Sequence, residues 1–147
     1  MIQLIRADQK HIPILVPLFD AYRIFYGQES DLMAARKFLQ ERFIKNQSVV
    51  FMAFYETQAV GFVQLYPTFS SVSLEHYYIL NDLYVNLEHR KKGIGQMLLN
   101  RAKDFCKENN GKGLALETAI DNPAQRLYEK LGWERDSLRF HYFWTIE

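Results

Sequence analysis

The chain holds a single cysteine, Cys106, among its 147 residues. One thiol can close no intrachain disulfide and supply no cysteine-rich zinc site. No apolar run approaches the roughly 20 residues that a membrane span requires. The opening Met1-Ile2-Gln3-Leu4-Ile5-Arg6 lacks the basic stretch followed by an apolar one that marks a signal peptide. Charge of either sign is nearly balanced: 18 Lys+Arg against 17 Asp+Glu leave a formal net charge of +1. No global field therefore draws the chain to nucleic acid or to a membrane. The four histidines, His11, His76, His89 and His141, are scattered, so no metal site is expected. Repeats, low-complexity stretches and linkers are also lacking. These absences point to one cytoplasmic domain over residues 1–147. What the chain does have is aromatics, at 15% of residues. That is enough for a heavy core and, beyond it, a lined pocket or an oligomer interface.

The pattern along the chain alternates. Residues 2–6 read as a strand. Asp8 can cap a helix that buries Ile12, Leu15, Val16 and Phe19. Pro13 suits its first turn, whereas Pro17 should kink it or set a later boundary. Asp31 can cap a second helix, with Ala35, Phe38, Leu39, Arg42 and Phe43 at helical spacing. Residues 48–55 and 59–66 read as a hairpin ended by Pro67, and 68–75 as a polar loop. A strand over 77–85, a helix over 93–109, a short strand over 114–118 and a helix over 123–131 follow. The aromatic tail, 133–146, reads as one or two closing strands. This order predicts an α/β or α+β domain: a sheet with helices on both faces.

Two stretches carry chemistry. In Asp82-Leu83-Tyr84-Val85-Asn86-Leu87-Glu88-His89-Arg90-Lys91-Lys92-Gly93-Ile94-Gly95 a strand enters a basic, glycine-containing turn that opens onto a helix. Glycines let the backbone turn with its N–H groups inward, and the helix N-terminus adds unpaired donors and a positive dipole end. The result is either an anion site suited to a pyrophosphate or a solvated basic turn. It is not the dinucleotide fingerprint, whose third glycine is here Leu98, and it comes mid-chain. The Walker, G-x-S-x-G and H-E-x-x-H patterns are absent. The second stretch, Asp121-Asn122-Pro123-Ala124-Gln125-Arg126-Leu127-Tyr128-Glu129-Lys130-Leu131-Gly132-Trp133, follows a strand and places a tyrosine on a short helix. Tyr128 is either a core tyrosine or a phenol able to protonate a leaving group.

Taken together, Arg90-x-x-Gly93-x-Gly95 and Ala124-x-x-Leu127-Tyr128-x-x-x-Gly132-Trp133 resemble the GNAT superfamily of N-acetyltransferases. The likeness spans nearly the whole chain, since the element order matches as well. It implies a mixed, mostly antiparallel sheet with an acetyl-CoA cleft where two parallel strands splay. It implies acetyl-CoA as donor, with the pyrophosphate on Arg90, Lys91, Lys92, Gly93, Ile94 and Gly95 and the pantetheine arm along Leu83, Tyr84 and Val85. Tyr128 becomes the proton donor to the departing thiolate. The family's asparagine seven positions before that tyrosine is here Asp121, so the arm contact passes to Asn122, one step later. The likeness also suggests a homodimer.

Residues 78–85 are similar to the corresponding strand of polyamine, thialysine and related small-amine acetyltransferases. The ending Gly132-Trp133-x-Arg135-Asp136 with Phe140, Tyr142 and Trp144 resembles the branch acting on polyamines, histones and D-amino acids. Where spermidine/spermine enzymes carry a glutamate base, this chain has Asn81, which cannot take a proton. The base candidates are then Asp82 and Glu117. Tyr26, Glu29, Phe69, Asn81 and Tyr142 are candidates for the acceptor pocket, since aromatic faces beside a carboxylate suit an ammonium group. The leading expectation is acetyl transfer to a small primary amine. The alternatives are a protein lysine or N-terminus as acceptor, or a non-catalytic acyl-CoA sensor.

Overall fold

In the computed structural model, which describes residues 1–146, strands β1 (Ile2–Arg6), β2 (Val49–Tyr55), β3 (Gln58–Ser70), β4 (Glu75–Val85) and β5 (Leu114–Ala115) join in one sheet in that order. Glu147, last residue of the expected domain, lies outside the described residues. The first four strands pair antiparallel, and β4 pairs with β5 in parallel. The helices are α1 (Ile12–Phe25), α2 (Leu32–Ile44), α3 (Ile94–Glu108) and α4 (Gln125–Lys130). The chain divides into two compact units, one ending at Glu117 and one starting at Thr118. The sheet and α1–α3 belong to the first, α4 to the second.

The β-branched and aromatic run of β2 is buried on both sides because helices cover both faces. On one face Leu15, Val16 and Phe19 of α1 and Leu39 of α2 pack with Val50, Met52 and Phe62. On the other, Phe105 of α3 meets Phe51 edge-on at 5.6 Å and Tyr78 at 5.3 Å. Asp31 caps α2 as the sequence predicts, accepting from the Ala34 N–H, whereas Asp8 accepts from the Lys10 N–H and caps a separate 3₁₀ turn, Gln9–His11, that leads into α1; α1 itself starts without a side-chain cap. Asp20, buried in α1, accepts from Ser30 Oγ at 2.7 Å and from the Asp31 N–H at 2.9 Å, tying down the α1–α2 connection.

Several boundaries differ from the sequence pattern. α1 runs unbroken through Pro17, whose ring is exposed while Leu15, Val16, Leu18 and Phe19 are buried. The carbonyl it leaves unpaired, that of Pro13, sits on the solvent side, so packing on the opposite side prevails. β3 continues past Pro67 to Ser70, which reduces the expected loop to residues 71–74. Pairing with β2 stops at Leu65, so the missing N–H of Pro67 falls on a free edge. β5 is two residues rather than five, and residues 133–146 form no strand among the described residues. Alternating aromatics fit a strand, but a strand exists only with a ladder neighbour. This tail has none, and Phe140, Tyr142, Phe143 and Trp144 remain exposed.

The β3–β4 register shifts at one point: Gln64 faces Asp82, and Leu65 faces Leu80, leaving Asn81 as an extra residue in β4. A bulge of this kind reverses which face the following side chains take. Tyr78 accordingly packs against Phe105 of α3, whereas Tyr84 packs against Tyr22 of α1.

Gly61 pairs with Val85 where β4 ends. A methyl there would lie 2.9 Å from the Tyr84 carbonyl oxygen and 3.3 Å from Val85 Cγ2. Backbone cannot rotate out of the way, so Gly61→Ala is expected to cost about 1–3 kcal/mol. It should lower the urea midpoint at unchanged slope, and an unmoved midpoint would mean that β4 yields freely.

Candidate active site

β4 and β5 pair only at Tyr78↔Leu114 and Ile79↔Ala115. Beyond Ile79 the remainder of β4, including Leu83, Tyr84 and Val85, has no ladder partner on its β5 side among the described residues. A parallel pair that parts after two residues leaves a strand edge with backbone donors and acceptors to offer. The splay is therefore present in the first unit, and Glu117 stands exposed two residues past β5.

That edge leads into the glycine turn. After a single 3₁₀ turn, Leu87–His89, Lys91 takes φ +63° and Gly93 φ +82°, and α3 begins at Ile94. A Cβ on Gly93 would meet nothing, so glycine is required there by its left-handed backbone and not by lack of space. The first bond of α3 joins the Met97 N–H to the Gly93 carbonyl, and the amides before it lack intrahelical partners. Ile94 is buried, 1% exposed. Lys91 and Lys92 are exposed, and Gly95 lies in the first turn of α3. Arg90 behaves differently. Its Nε donates to the Val85 carbonyl at 2.9 Å, and its guanidinium lies 5.1 Å from the Phe25 ring centre and 5.6 Å from that of Tyr84. The His89 ring packs beside Tyr55 at 5.7 Å.

The bulge delivers a buried carboxylate to the α1 side of the sheet. Asp82 is 3% exposed and accepts from Gln64 Nε2 and, at 2.9 Å, from Asn81 Nδ2. The Tyr22 hydroxyl donates to the Asn81 carbonyl at 3.3 Å and also interacts with Asp82. Burial pushes the Asp82 carboxyl above its ordinary value, against the hydrogen bonds from Gln64, Tyr22 and Asn81. Burial raises the Tyr22 and Tyr66 phenols too, and the neighbouring Asp82 adds to both, so both hydroxyls stay protonated. Tyr22 anchors an aromatic group with Tyr26 at 5.0 Å, Phe62 at 5.6 Å and Tyr84 at 6.2 Å.

The structure thus brings Asp82, Asn81, Tyr84 and Tyr26 together. Glu29 sits exposed on the α1–α2 connection held by Asp20. Phe69 is not part of this group. It lies five residues beyond Gln64 on β3, about 17 Å along the strand, and is 78% exposed. Gln64 was missed by sequence reasoning. Its signal was a lone amide in the apolar run of β3, and its Oε1 is buried without a partner.

In the second unit, Tyr128 is half-buried on α4, its ring 6.0 Å from that of Trp133. Gly132 closes the helix at φ +91°, with the Trp133 N–H on the Tyr128 carbonyl at 3.0 Å. Asn122 spends its side-chain oxygen on the Ala124 N–H at 2.9 Å, starting the turn into α4. Tyr142 is exposed in the strandless tail.

The first unit thus sets a strand edge without a ladder partner among the described residues, a helix N-terminus with unpaired amides and a buried acid within one stretch of chain. The Acetyltransferase (GNAT) family profile matches residues 15–133. An uncharacterized N-acetyltransferase of Bacillus subtilis, YhfO, is 47% identical over 129 residues, covering 87% of each chain. A probable acetyltransferase of Haemophilus influenzae is 37% identical over 141 residues, covering 86% of this chain and 96% of that one. The crystal structure of a probable acetyltransferase, also 37% identical, superposes with a TM-score of 0.92 over 99% of this chain and 98% of that one. The chain belongs to the GNAT acetyltransferase family and is an acyl-CoA-dependent acyltransferase.

A carboxyl raised by burial keeps its proton to higher pH in the folded state than in the unfolded one. The stability it contributes is complete below the unfolded carboxylate value and is lost as pH climbs through the raised folded value. Asp82→Asn does not titrate. The unfolding free energy of the wild type minus that of Asp82→Asn should therefore fall as pH rises from about 4. A difference that is flat with pH in parallel denaturant titrations would refute the raised value.

Proposed function

We propose that the protein transfers the acetyl group of acetyl-CoA to the primary amine of a small molecule, polyamine or amino-acid-like, within a single domain over residues 1–147. The observation that carries this reading is the placement of Asp82. It is buried beneath the Tyr22 hydroxyl, one bulge from the strand edge that meets the glycine turn. Acetyl-CoA would lay its arm along Leu83, Tyr84 and Val85. Its pyrophosphate would take the N–H groups of Gly93, Ile94 and Gly95, with Lys91 and Lys92 supplying charge. Asn122 retains its amide NH₂ for the arm.

The chemistry asks little of the protein. The amine nitrogen attacks the thioester carbon, and its proton passes to Asp82, with Tyr22 as the outer hydroxyl of that path. A carboxyl raised by burial is a better base at neutral pH than an ordinary one. A backbone N–H near Leu83 stabilises the oxyanion. The carbon–sulfur bond then breaks, and Tyr128 protonates the thiolate. Glu117, exposed at the splay, is the second candidate for the base. Tyr26, Glu29 and Asn81 form the acceptor side, and their aromatic and acidic character suits a cationic amine. Phe69 stands apart from the Asp82 cluster along β3, and Tyr142 is exposed in the tail. The exposed aromatics of the tail support a homodimer.

The test is thiol release from acetyl-CoA over spermidine, thialysine, D- and L-amino acids and a lysine peptide. Saturable turnover with one of the small amines is expected. Turnover with the peptide alone would overturn the small-amine reading in favour of a protein acceptor. Tight acetyl-CoA binding with no turnover would favour a sensor. With the active amine, Asp82→Asn and Tyr128→Phe should each lower kcat about 100-fold or more while acetyl-CoA affinity is kept. An unchanged kcat removes the residue concerned from proton transfer.

A further inference from the structure

Three basic residues stand in a row before Gly93, and the structure treats them differently. Lys91 and Lys92 are exposed, while Arg90 is half-buried and already engaged. One end of its side chain is fixed by the Nε bond to the Val85 carbonyl at 2.9 Å. Its planar head is shared by two rings, Phe25 at 5.1 Å and Tyr84 at 5.6 Å, which are themselves 6.3 Å apart. Phe25 is the last residue of α1, so the ring that receives the cation belongs to the end of that helix. Phe25 is 59% exposed and absent from the core. The partners that explain its ring are Arg90, Tyr84 and Tyr26, at 5.3 Å. A guanidinium held by one hydrogen bond and two ring faces is a bracket, and a lysine cannot reproduce it, because an ammonium neither stacks flat nor makes the Nε bond.

We infer that Arg90 is a positioning residue, a clip that fastens the cofactor turn to the end of α1 through Phe25 and Tyr84, and that its guanidinium does not serve as a phosphate ligand. Phosphate charge is met by Lys91, Lys92 and the backbone. Arg90 sets where that backbone stands, and Phe25, though outside the turn, becomes a determinant of donor affinity. Because α1 also carries Tyr22 and runs directly into Tyr26, its C-terminal end fixes both the donor turn and the acceptor wall. This inference rests on reading the turn at 90–95 as the pyrophosphate site.

The experiment compares the wild type with Phe25→Leu, Arg90→Lys, the double variant and Lys92→Ala. CoA affinity is measured by calorimetry, and amide exchange across residues 86–95 is followed without ligand. Phe25→Leu and Arg90→Lys should each weaken CoA about 3- to 10-fold, with the double variant no worse than either alone. Both should speed exchange in the turn and raise the KM for acetyl-CoA with kcat kept. Lys92→Ala should weaken CoA without changing exchange. The clip is overturned if Arg90→Lys binds CoA like the wild type, if the losses of the two single variants add, or if exchange is unaltered in both. If the wild type itself fails to bind CoA, the pyrophosphate reading falls, and exchange alone decides the clip: faster exchange in both variants upholds it and unchanged exchange overturns it.

Discussion

One extra residue in β4 governs the arrangement of the first unit. Without the bulge at Asn81, Asp82 would fall on the α3 face with Tyr78 and Leu80, among Phe105, Leu98 and Ala102. With it, the carboxyl turns towards α1 and finds Gln64, Asn81 and Tyr22. Local ladder pairing is given up at one position, and a buried acid is placed next to hydroxyls instead of hydrocarbon. The same reversal aims Tyr84 at Tyr22 and Phe25, so the aromatic group and the seat of Arg90 follow from it.

Burial and hydrogen bonding pull on Asp82 in opposite directions. Burial disfavours its charge, and donors from three residues favour it; burial prevails, and the carboxyl titrates high. Gln64 deepens this balance, since its amide donates to Asp82 while its own Oε1 is left buried without a partner. Oxygen acceptors from Asp82, the Asn81 carbonyl and Gln64 Oε1 thus stand beside donors from Gln64, Asn81 and Tyr22 in one buried cluster. The connection after α1, which carries the exposed Glu29, is held by Asp20 on Ser30 and Asp31.

How much of this was legible in the sequence varies with range. The helix cap at Asp31, the β2–β3 hairpin and the turn at Gly93 are written within a few residues, and each was readable; Asp8 was readable as a cap, but of a 3₁₀ turn ahead of α1. Pro17 and Pro67 misled because a proline's cost depends on which side of a helix or strand is wet, and that is settled only by tertiary packing. Asn81 gave no sign of a bulge, since a bulge is a property of two strands. The tail at 133–146 has a strand's alternation without a partner to pair with. Asp82 and the glycine turn stood out in the sequence, whereas the distance of Phe69 from Gln64 is set by the β3–β4 register, which no residue type reveals. Arg90 was legible as a charge and illegible as a stack, because Phe25 lies 65 positions earlier.

The early parting of β4 from β5 has a bearing on handling. A strand whose edge is bare is an invitation to other strands, in the same molecule or in the next. Beyond Ile79 that edge has no ladder neighbour among the described residues, in a chain whose tail also exposes Phe140, Phe143 and Trp144. A ligand laid along such an edge would act as its missing strand. Any ligand that binds the folded chain alone raises the temperature at which it unfolds, by mass action. On the proposed reading, the cofactor would then be part of the solubility of this protein as well as of its chemistry.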